Sequence, residues 1–252
     1  MMQNAALQAL GLGDWRYQLL PLPPGLFDET VVALPGSGFR GINVTIPHKE
    51  AALALADTAS AAATATGAAN TLLFAPDGTV IADNTDAPAL RGAIAERLPL
   101  AGLTVLVLGA GGSARAAVWA LVAAGADVHV WNRTASRAAR LCALTGGRPL
   151  AGLTEVAALR AVDLIVNCTS VGLRPDDELS ALPLSPRLLS GARLVVDLVY
   201  GKRATPLIAA AHAAGVETIV GLEILVRQGA LALELFTGRK APLAVMRAAV
   251  GL

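Results

Sequence analysis

Two kinds of feature in this sequence are placed where they can do chemistry: a lysine at the start of a helix, and a glycine-rich turn between a strand and a helix. In Asn43-Val44-Thr45-Ile46-Pro47-His48-Lys49-Glu50 a strand gives way to a helix, with Pro47 expected at the first helical position and Lys49 in the first turn. The helix dipole opposes an ammonium there. A lysine so placed is suited to passing a proton to or from a hydroxyl. An exposed lysine balanced by Glu50 accounts for the same residues. In Asn84-Thr85-Asp86 the carboxylate stands just before a helix. It serves there either as an N-cap or as the partner that holds the Lys49 ammonium.

The glycine-rich turn is Gly109-Ala110-Gly111-Gly112-Ser113-Ala114, the G-x-G-x-x-A pattern. Gly109 permits a tight turn, Gly111 lets the backbone approach a pyrophosphate, and Ala114 allows close packing of helix on strand. The helix N-terminus supplies free N–H groups for the phosphates. A purely structural glycine turn is the alternative. The next strand ends in Asn132-Arg133-Thr134-Ala135-Ser136-Arg137, with no carboxylate to hold a ribose 2′-OH. Arginine pairs with a 2′-phosphate through two parallel hydrogen bonds and stacks on adenine. Cations at a helix N-terminus are unfavourable without an anion nearby, so the expectation is NADP rather than NAD. Solvated arginines are the competing reading.

These residues need a frame to position them. Short β-branched runs alternate with alanine-rich stretches, the pattern of parallel βαβ units. Strands are expected at 104–109, 127–131, 163–168 and 194–200, with helices at 112–124, 135–145 and 205–214. Before them the expectation is a helix at 2–11, strands near 15–20 and 40–46, and a helix at 48–56. Strands near 69–75 and 79–83 follow, joined by the turn Pro76-Asp77-Gly78, then a helix at 87–97. The tail from 222 is again helical. Its Gln228 sits in an apolar stripe with Ile224, Leu231 and Leu235, where a long amide needs a polar partner. A substrate or a neighbouring helix would meet that need.

Composition excludes several classes. The 252 residues are 54% hydrophobic and 15% charged, which rules out a disordered chain. A net charge of +1 is too balanced for a protein held by nucleic-acid phosphates or anionic lipid. Cys142 and Cys168 are the two cysteines, which excludes a disulfide framework and fits a reducing, cytoplasmic setting. They read as small core hydrophobes. The longest uncharged run, 58–76, carries Thr58, Ser60, Thr64, Asn70 and other polar residues, so no membrane span is expected. The start has no basic region of a signal peptide. His48, His129 and His212 show no metal-ligand spacing, and no metal is expected.

Taken together, Asn-Val-Thr-x-Pro-x-Lys at 43–49, Gly67-Ala68-Ala69-Asn70-Thr71, Asn84-Thr85-Asp86 and the glycine turn resemble the shikimate dehydrogenase family. The resemblance continues through Asn132-Arg133-Thr134 with Arg137, Asn167-Cys168-Thr169-Ser170-Val171-Gly172, Asp197-Leu198-Val199-Tyr200, Thr205-Pro206-Leu207, and Gly221-Leu222 through Gln228. It implies NADPH-dependent reduction of 3-dehydroshikimate to shikimate, with Lys49 and Asp86 as the catalytic pair. It also implies substrate contacts from Thr45, Asn70, Tyr200 and Gln228. Cofactor contacts would come from Gly109, Gly111, Gly112, Asn132, Arg133, Thr134, Arg137 and Gly221.

The fold class expected is α/β with two domains. One is a Rossmann doubly wound NADP-binding domain, 99–221; the other is a discontinuous α/β substrate domain, 1–98 and 222–252, with the reaction in the cleft that separates them. A small-molecule enzyme, monomer or homodimer, follows. Members of the family usually begin with a strand and a loop bearing two serines for the substrate carboxylate, whereas this sequence opens on the helix after them. A start placed too late, a shortened protein or a changed substrate would each account for that. The alternative functions are a quinate or related polyol-acid dehydrogenase and an NADP-binding homologue with impaired catalysis.

Overall fold

The computed structural model describes every residue except Arg160 and Lys202. The chain forms two units, Met1–Ala89 with Val226–Leu252, and Leu90–Leu225. The first unit opens with α1 (Met2–Ala9), α2 (Phe27–Ala33), β1 (Gly41–Asn43), α3 (Lys49–Ala54), β2 (Thr58–Ala59), α4 (Ala61–Thr66), β3 (Thr71–Phe74) and β4 (Val80–Asp83). Its sheet has the order β1-β3-β4-β2, with β3 antiparallel to both neighbours and β2 parallel to β4. The expected turn at Pro76-Asp77-Gly78 joins β3 to β4. There the Asp77 carboxylate accepts from the Thr79 N–H at 2.9 Å, which holds its pKa below the usual carboxylate range. Phe27, Val31, Leu72 and Phe74 form the core of helices on sheet.

Next come α5 (Asp86–Ala95), β5 (Thr104–Leu108), α6 (Gly112–Ala123), β6 (Asp127–Trp131), α7 (Ala135–Thr145), β7 (Arg148–Pro149) and α8 (Leu153–Ala158). They are followed by β8 (Leu164–Asn167), α9 (Pro186–Gly191), β9 (Leu194–Asp197), α10 (Pro206–Ala213) and β10 (Glu217–Val220). The six strands from β5 onward make one all-parallel sheet, ordered β10-β9-β8-β5-β6-β7. A parallel sheet is buried on both faces, so its central strands β5, β8 and β9 are apolar at all but a terminal position. The period of two sorts them. Val105, Val107, Leu164, Val166, Leu194 and Val196 join one apolar cluster, while Leu106, Leu108, Ile165 and Val195 join the other. Finally α11 (Gly221–Thr237) and α12 (Leu243–Ala248) return the chain to the first unit, where Val226, Leu233 and Met246 pack with Ala6 and Leu7 of α1.

Three expectations need correction. Residues 15–20 form no strand; the Tyr17 N–H donates to the Asn4 side-chain oxygen at 2.8 Å and its carbonyl accepts from the Asn4 amide at 2.9 Å. That side chain satisfies backbone groups which a strand would have offered to a ladder. Pro47 is not the first helical residue. The Ile46–Pro47 peptide is cis, His48 is the N-cap, and α3 starts at Lys49. The strand expected at 194–200 stops at Asp197, because the Asp197 carboxylate itself takes the Val199 N–H at 3.0 Å.

Asp197 is wholly buried, yet fully engaged: it also accepts from the Asn167 amide at 2.9 Å and from the Thr205 hydroxyl at 2.5 Å. Thr205 in turn caps α10 through the Ile208 N–H, and Asn167 accepts from the Thr169 N–H and hydroxyl. One carboxylate therefore ties together the loops that leave β8 and β9. Burial raises its pKa against the opposing pull of hydrogen bonds from Thr205, Val199 and Asn167. With the folded value raised, the stability linked to this group is full below the ordinary carboxylate range and is lost as pH rises through the folded value. Asp197→Asn removes that loss. Its thermal midpoint relative to wild type is expected to rise as pH climbs above the ordinary carboxylate value of about 4; a difference that does not change with pH would contradict the assignment.

Candidate functional site

In the first unit, three stretches far apart in sequence converge on one carboxylate. Lys49 stands at the first position of α3, and Asp86 at the first position of α5. Lys49 Nζ donates to Asp86 Oδ2 at 2.7 Å, with the two side chains 15% and 19% exposed. Asp86 Oδ1 accepts from Asn70 Nδ2 at 2.9 Å. Asn70, buried, uses its Oδ1 as acceptor for the Thr85 N–H at 2.8 Å, and the orientation of its amide follows from that bond. The same Nδ2 lies 3.3 Å from Gln228 Oε1. Lys49, Asp86, Asn70 and Gln228 thus form one hydrogen-bonded cluster.

The cluster rests on a second set of bonds. The Asp86 side chain is not the helix cap: Asn84 Oδ1 accepts the backbone N–H groups of Asp86 and Ala87 at 3.1 and 3.3 Å. Asn84 Nδ2 donates to Thr66 Oγ1 and to the Ala68 carbonyl, so the start of α5 is fastened to the end of α4. The Lys49 carbonyl accepts from the Ala69 N–H at 2.9 Å, fixing α3 beside Asn70. A further chain runs from the Tyr17 hydroxyl to Asn43 Oδ1 at 3.0 Å, from Asn43 Nδ2 to Thr71 Oγ1 at 3.1 Å, and from Thr71 to Asn70 Oδ1 at 3.1 Å. Burial raises the pKa of Tyr17, so it stays a neutral donor. Tyr17 and the side-chain roles of Asn43, Asn84 and Thr85 escaped the sequence reading. The only signal for the last three was their place beside singled-out residues. Thr45 is exposed, outside the hydrogen bonds of the cluster.

The second unit holds the glycine turn. Gly109 has φ +107°, and a Cβ there would meet the Cys168 carbonyl oxygen at 2.9 Å, so no other residue fits. Gly111 is the extended N-cap of α6, exposed, with open space where a Cβ would stand. The first intrahelical bond runs from the Arg115 N–H to the Gly111 carbonyl, leaving the N–H groups of Gly112, Ser113 and Ala114 without helical partners. No acidic residue lies in the first turn of α6 or α7. Ala114 is buried against the sheet. Asn132 Nδ2 donates to the Thr134 carbonyl, and Thr134 starts α7 without a side-chain cap. Arg133 and Arg137 are exposed, and their side chains have no hydrogen-bond or ion-pair partner among the described residues. Donors, bare glycine and unpaired guanidinium groups together suit a phosphorylated dinucleotide.

Tyr200 is exposed on the loop after β9. Gly221 opens α11, where a Cβ would lie 2.6 Å from the Leu198 carbonyl oxygen, so its smallness serves backbone packing. Among the described residues no group of His, Cys, Asp or Glu is arranged to hold a metal, and no helix is long and apolar enough to cross a membrane.

Three family models match: the shikimate dehydrogenase substrate binding domain over residues 1–72, shikimate / quinate 5-dehydrogenase over 93–198, and the shikimate 5′-dehydrogenase C-terminal domain over 221–250. A shikimate dehydrogenase (NADP(+)) from Anaeromyxobacter dehalogenans is 43% identical over 261 residues, covering 99% of this chain and 89% of the relative. A crystal structure of shikimate dehydrogenase from Aquifex aeolicus aligns with TM-score 0.90 and 31% identity, over 100% of this chain and 91% of that one. The shikimate 5-dehydrogenase of Thermus thermophilus, solved with NADP(H) and shikimate, aligns with TM-score 0.87 and 39% identity, over 98% and 91% of the two chains.

The Asn84 bonds make a test of what holds the cluster. Asn84→Ala leaves two helix N–H groups unpaired in a buried position and removes the two bonds donated to Thr66 and Ala68, a loss of about 1–3 kcal/mol. Asn84→Asp keeps the cap but not the two donated bonds, and should fall in between. Denaturant unfolding of the three proteins measures this; an alanine variant as stable as wild type would remove Asn84 from the account.

Proposed function

The chain belongs to the shikimate dehydrogenase family, and we propose that it reduces 3-dehydroshikimate to shikimate reversibly, with Lys49 and Asp86 as its catalytic pair. It is an NADP-dependent oxidoreductase. The observation that carries the residue assignment is the convergence of Lys49, Asp86 and Asn70 on one another at 2.7 and 2.9 Å. When bound, NADPH supplies the hydride to the substrate carbonyl carbon.

This chain's residues handle the rest. As the carbonyl oxygen gains negative charge, Lys49 Nζ gives it a proton; in the reverse direction the same nitrogen takes the hydroxyl proton. The Asp86 carboxylate holds the ammonium in place and offsets the α3 dipole, which by itself opposes a cation at that position. Asn70 fixes Asp86 through one N–H. We assign to Asn70, Gln228, Thr45 and Tyr200 the contacts with substrate hydroxyls and carboxylate, since each carries a donor or an acceptor for a polyhydroxylated ring. Gly109, Gly111 and Gly112 would hold the pyrophosphate at the α6 N-terminus. Asn132, Arg133, Thr134 and Arg137 would hold the adenosine end, and Gly221 would line the cofactor site.

The first unit is then the substrate domain and the second the NADP domain. The names of the matched relatives favour shikimate over quinate and over an inactive homologue. The balanced charge and the two free cysteines support a cytoplasmic enzyme, a monomer or homodimer, that works without nucleic acid.

Shikimate oxidation with NADP⁺, followed by NADPH absorbance, tests the reading. Wild type should turn over, and Lys49→Ala should lose about 10²–10⁴-fold in kcat. Asp86→Asn keeps the shape but not the charge, so kcat should fall more than KM rises. Turnover that survives in Lys49→Ala would remove the lysine from the proton step.

A further inference from the structure

In the second unit a cavity of about 290 Å³ is lined by Ala110, Arg115, Arg137, Arg140, Leu141 and Leu144. Ala110 belongs to the glycine turn, so the cavity adjoins the proposed pyrophosphate site. Arg137 and Arg140 are three residues apart on α7, hence neighbours on one face of that helix. Both are exposed, and neither has an ion-pair or hydrogen-bond partner among the described residues. From Val128 to Thr154 the sequence has no Asp or Glu, yet it carries Arg133, Arg137, Arg140 and Arg148. Among the described residues, only Arg148 of these meets a carboxylate, that of Asp127 at 3.2 Å. Like charges at this spacing repel, and Arg137 in the first turn also opposes the helix dipole. Such an arrangement is unfavourable until an anion enters it.

We infer that Arg140 is a specificity-determining residue, a third guanidinium that joins Arg133 and Arg137 around the adenosine 2′-phosphate of NADP(H). A dianionic phosphate offers enough acceptor lone pairs for several guanidinium forks, whereas the 2′-OH of NAD offers no charge to meet them. The buried Leu141 and the exposed Leu144 give the cavity an apolar wall that limits water around these groups. The inference rests on the NADP reading of the site.

Binding of adenosine 2′,5′-bisphosphate and of 5′-AMP, each measured by calorimetry, tests it without turnover. Arg140→Ala should weaken the bisphosphate about five- to tenfold and leave 5′-AMP within about twofold. Arg140→Lys should recover part of the loss, and added salt should shrink the difference. Equal weakening of both ligands would mean a role in adenine contact or packing, and unchanged binding would mean a solvated arginine; either overturns the inference. If wild type itself does not prefer the bisphosphate, the NADP reading fails and the role of Arg140 fails with it. A preference that persists undiminished in Arg140→Ala overturns the role of Arg140 alone.

Discussion

An ammonium and a carboxylate held 2.7 Å apart, both largely out of water, impose a demand that the rest of the first unit meets. Each ion loses hydration there, so the pair persists only where its remaining lone pairs are satisfied and its backbone is fixed. Asn70 does the first, by giving one N–H to Asp86 while its oxygen is committed to the Thr85 N–H. Asn84 does the second, by capping α5 and bonding the end of α4. The sheet register then matters, because Asn70 and Asp86 leave the adjacent ends of β3 and β4, where Thr71 stands opposite Asp83. A slip of one residue would turn Asn70 to the other face.

The second unit meets a different demand. Its sheet is apolar on both faces, so polar work is confined to the loops at the carboxyl ends of the strands. Backbone donors at the start of α6 come with the close approach of Gly109 to the Cys168 carbonyl, and that approach needs the loop after β8 to be held. Asp197 holds it through Asn167, at the cost of burying a carboxylate. The charge is tolerable because three donors surround it, and it does in the second unit what Asn84 does in the first. In both, a fully bonded buried polar side chain fixes a loop whose exposed groups are left free for a ligand.

Charge distribution separates the two sites. In the first unit Lys49 has its counter-ion, Asp86, within the protein. The guanidinium groups of Arg133, Arg137 and Arg140 have none among the described residues. This contrast separates a cation with an internal counter-ion from cations without one more directly than residue type does.

The candidate residues were legible in the sequence because local rules govern them. A glycine turn following a strand, arginines where an acid would hold a ribose, and a lysine opening a helix are all short-range patterns, as is the alternation that makes the parallel sheet. The resemblance to one family named the reaction from motifs in order. What the tertiary structure decided is long-range. Lys49 and Asp86 are 37 residues apart, and Asn70 and Gln228 are 158 apart, so no spacing could say that they share hydrogen bonds. The role of Asp86 shows the limit well: its sequence neighbourhood allows a helix cap, and only the fold gives that task to Asn84 and frees the carboxylate for the lysine. Residues 15–20 show the same limit from the other side. Their pattern suits a strand, but a strand forms only where a neighbour can complete its ladder, and here the Asn4 amide takes the main chain instead. Side-chain type and local spacing set which groups are able to react; packing between distant stretches sets which of them meet.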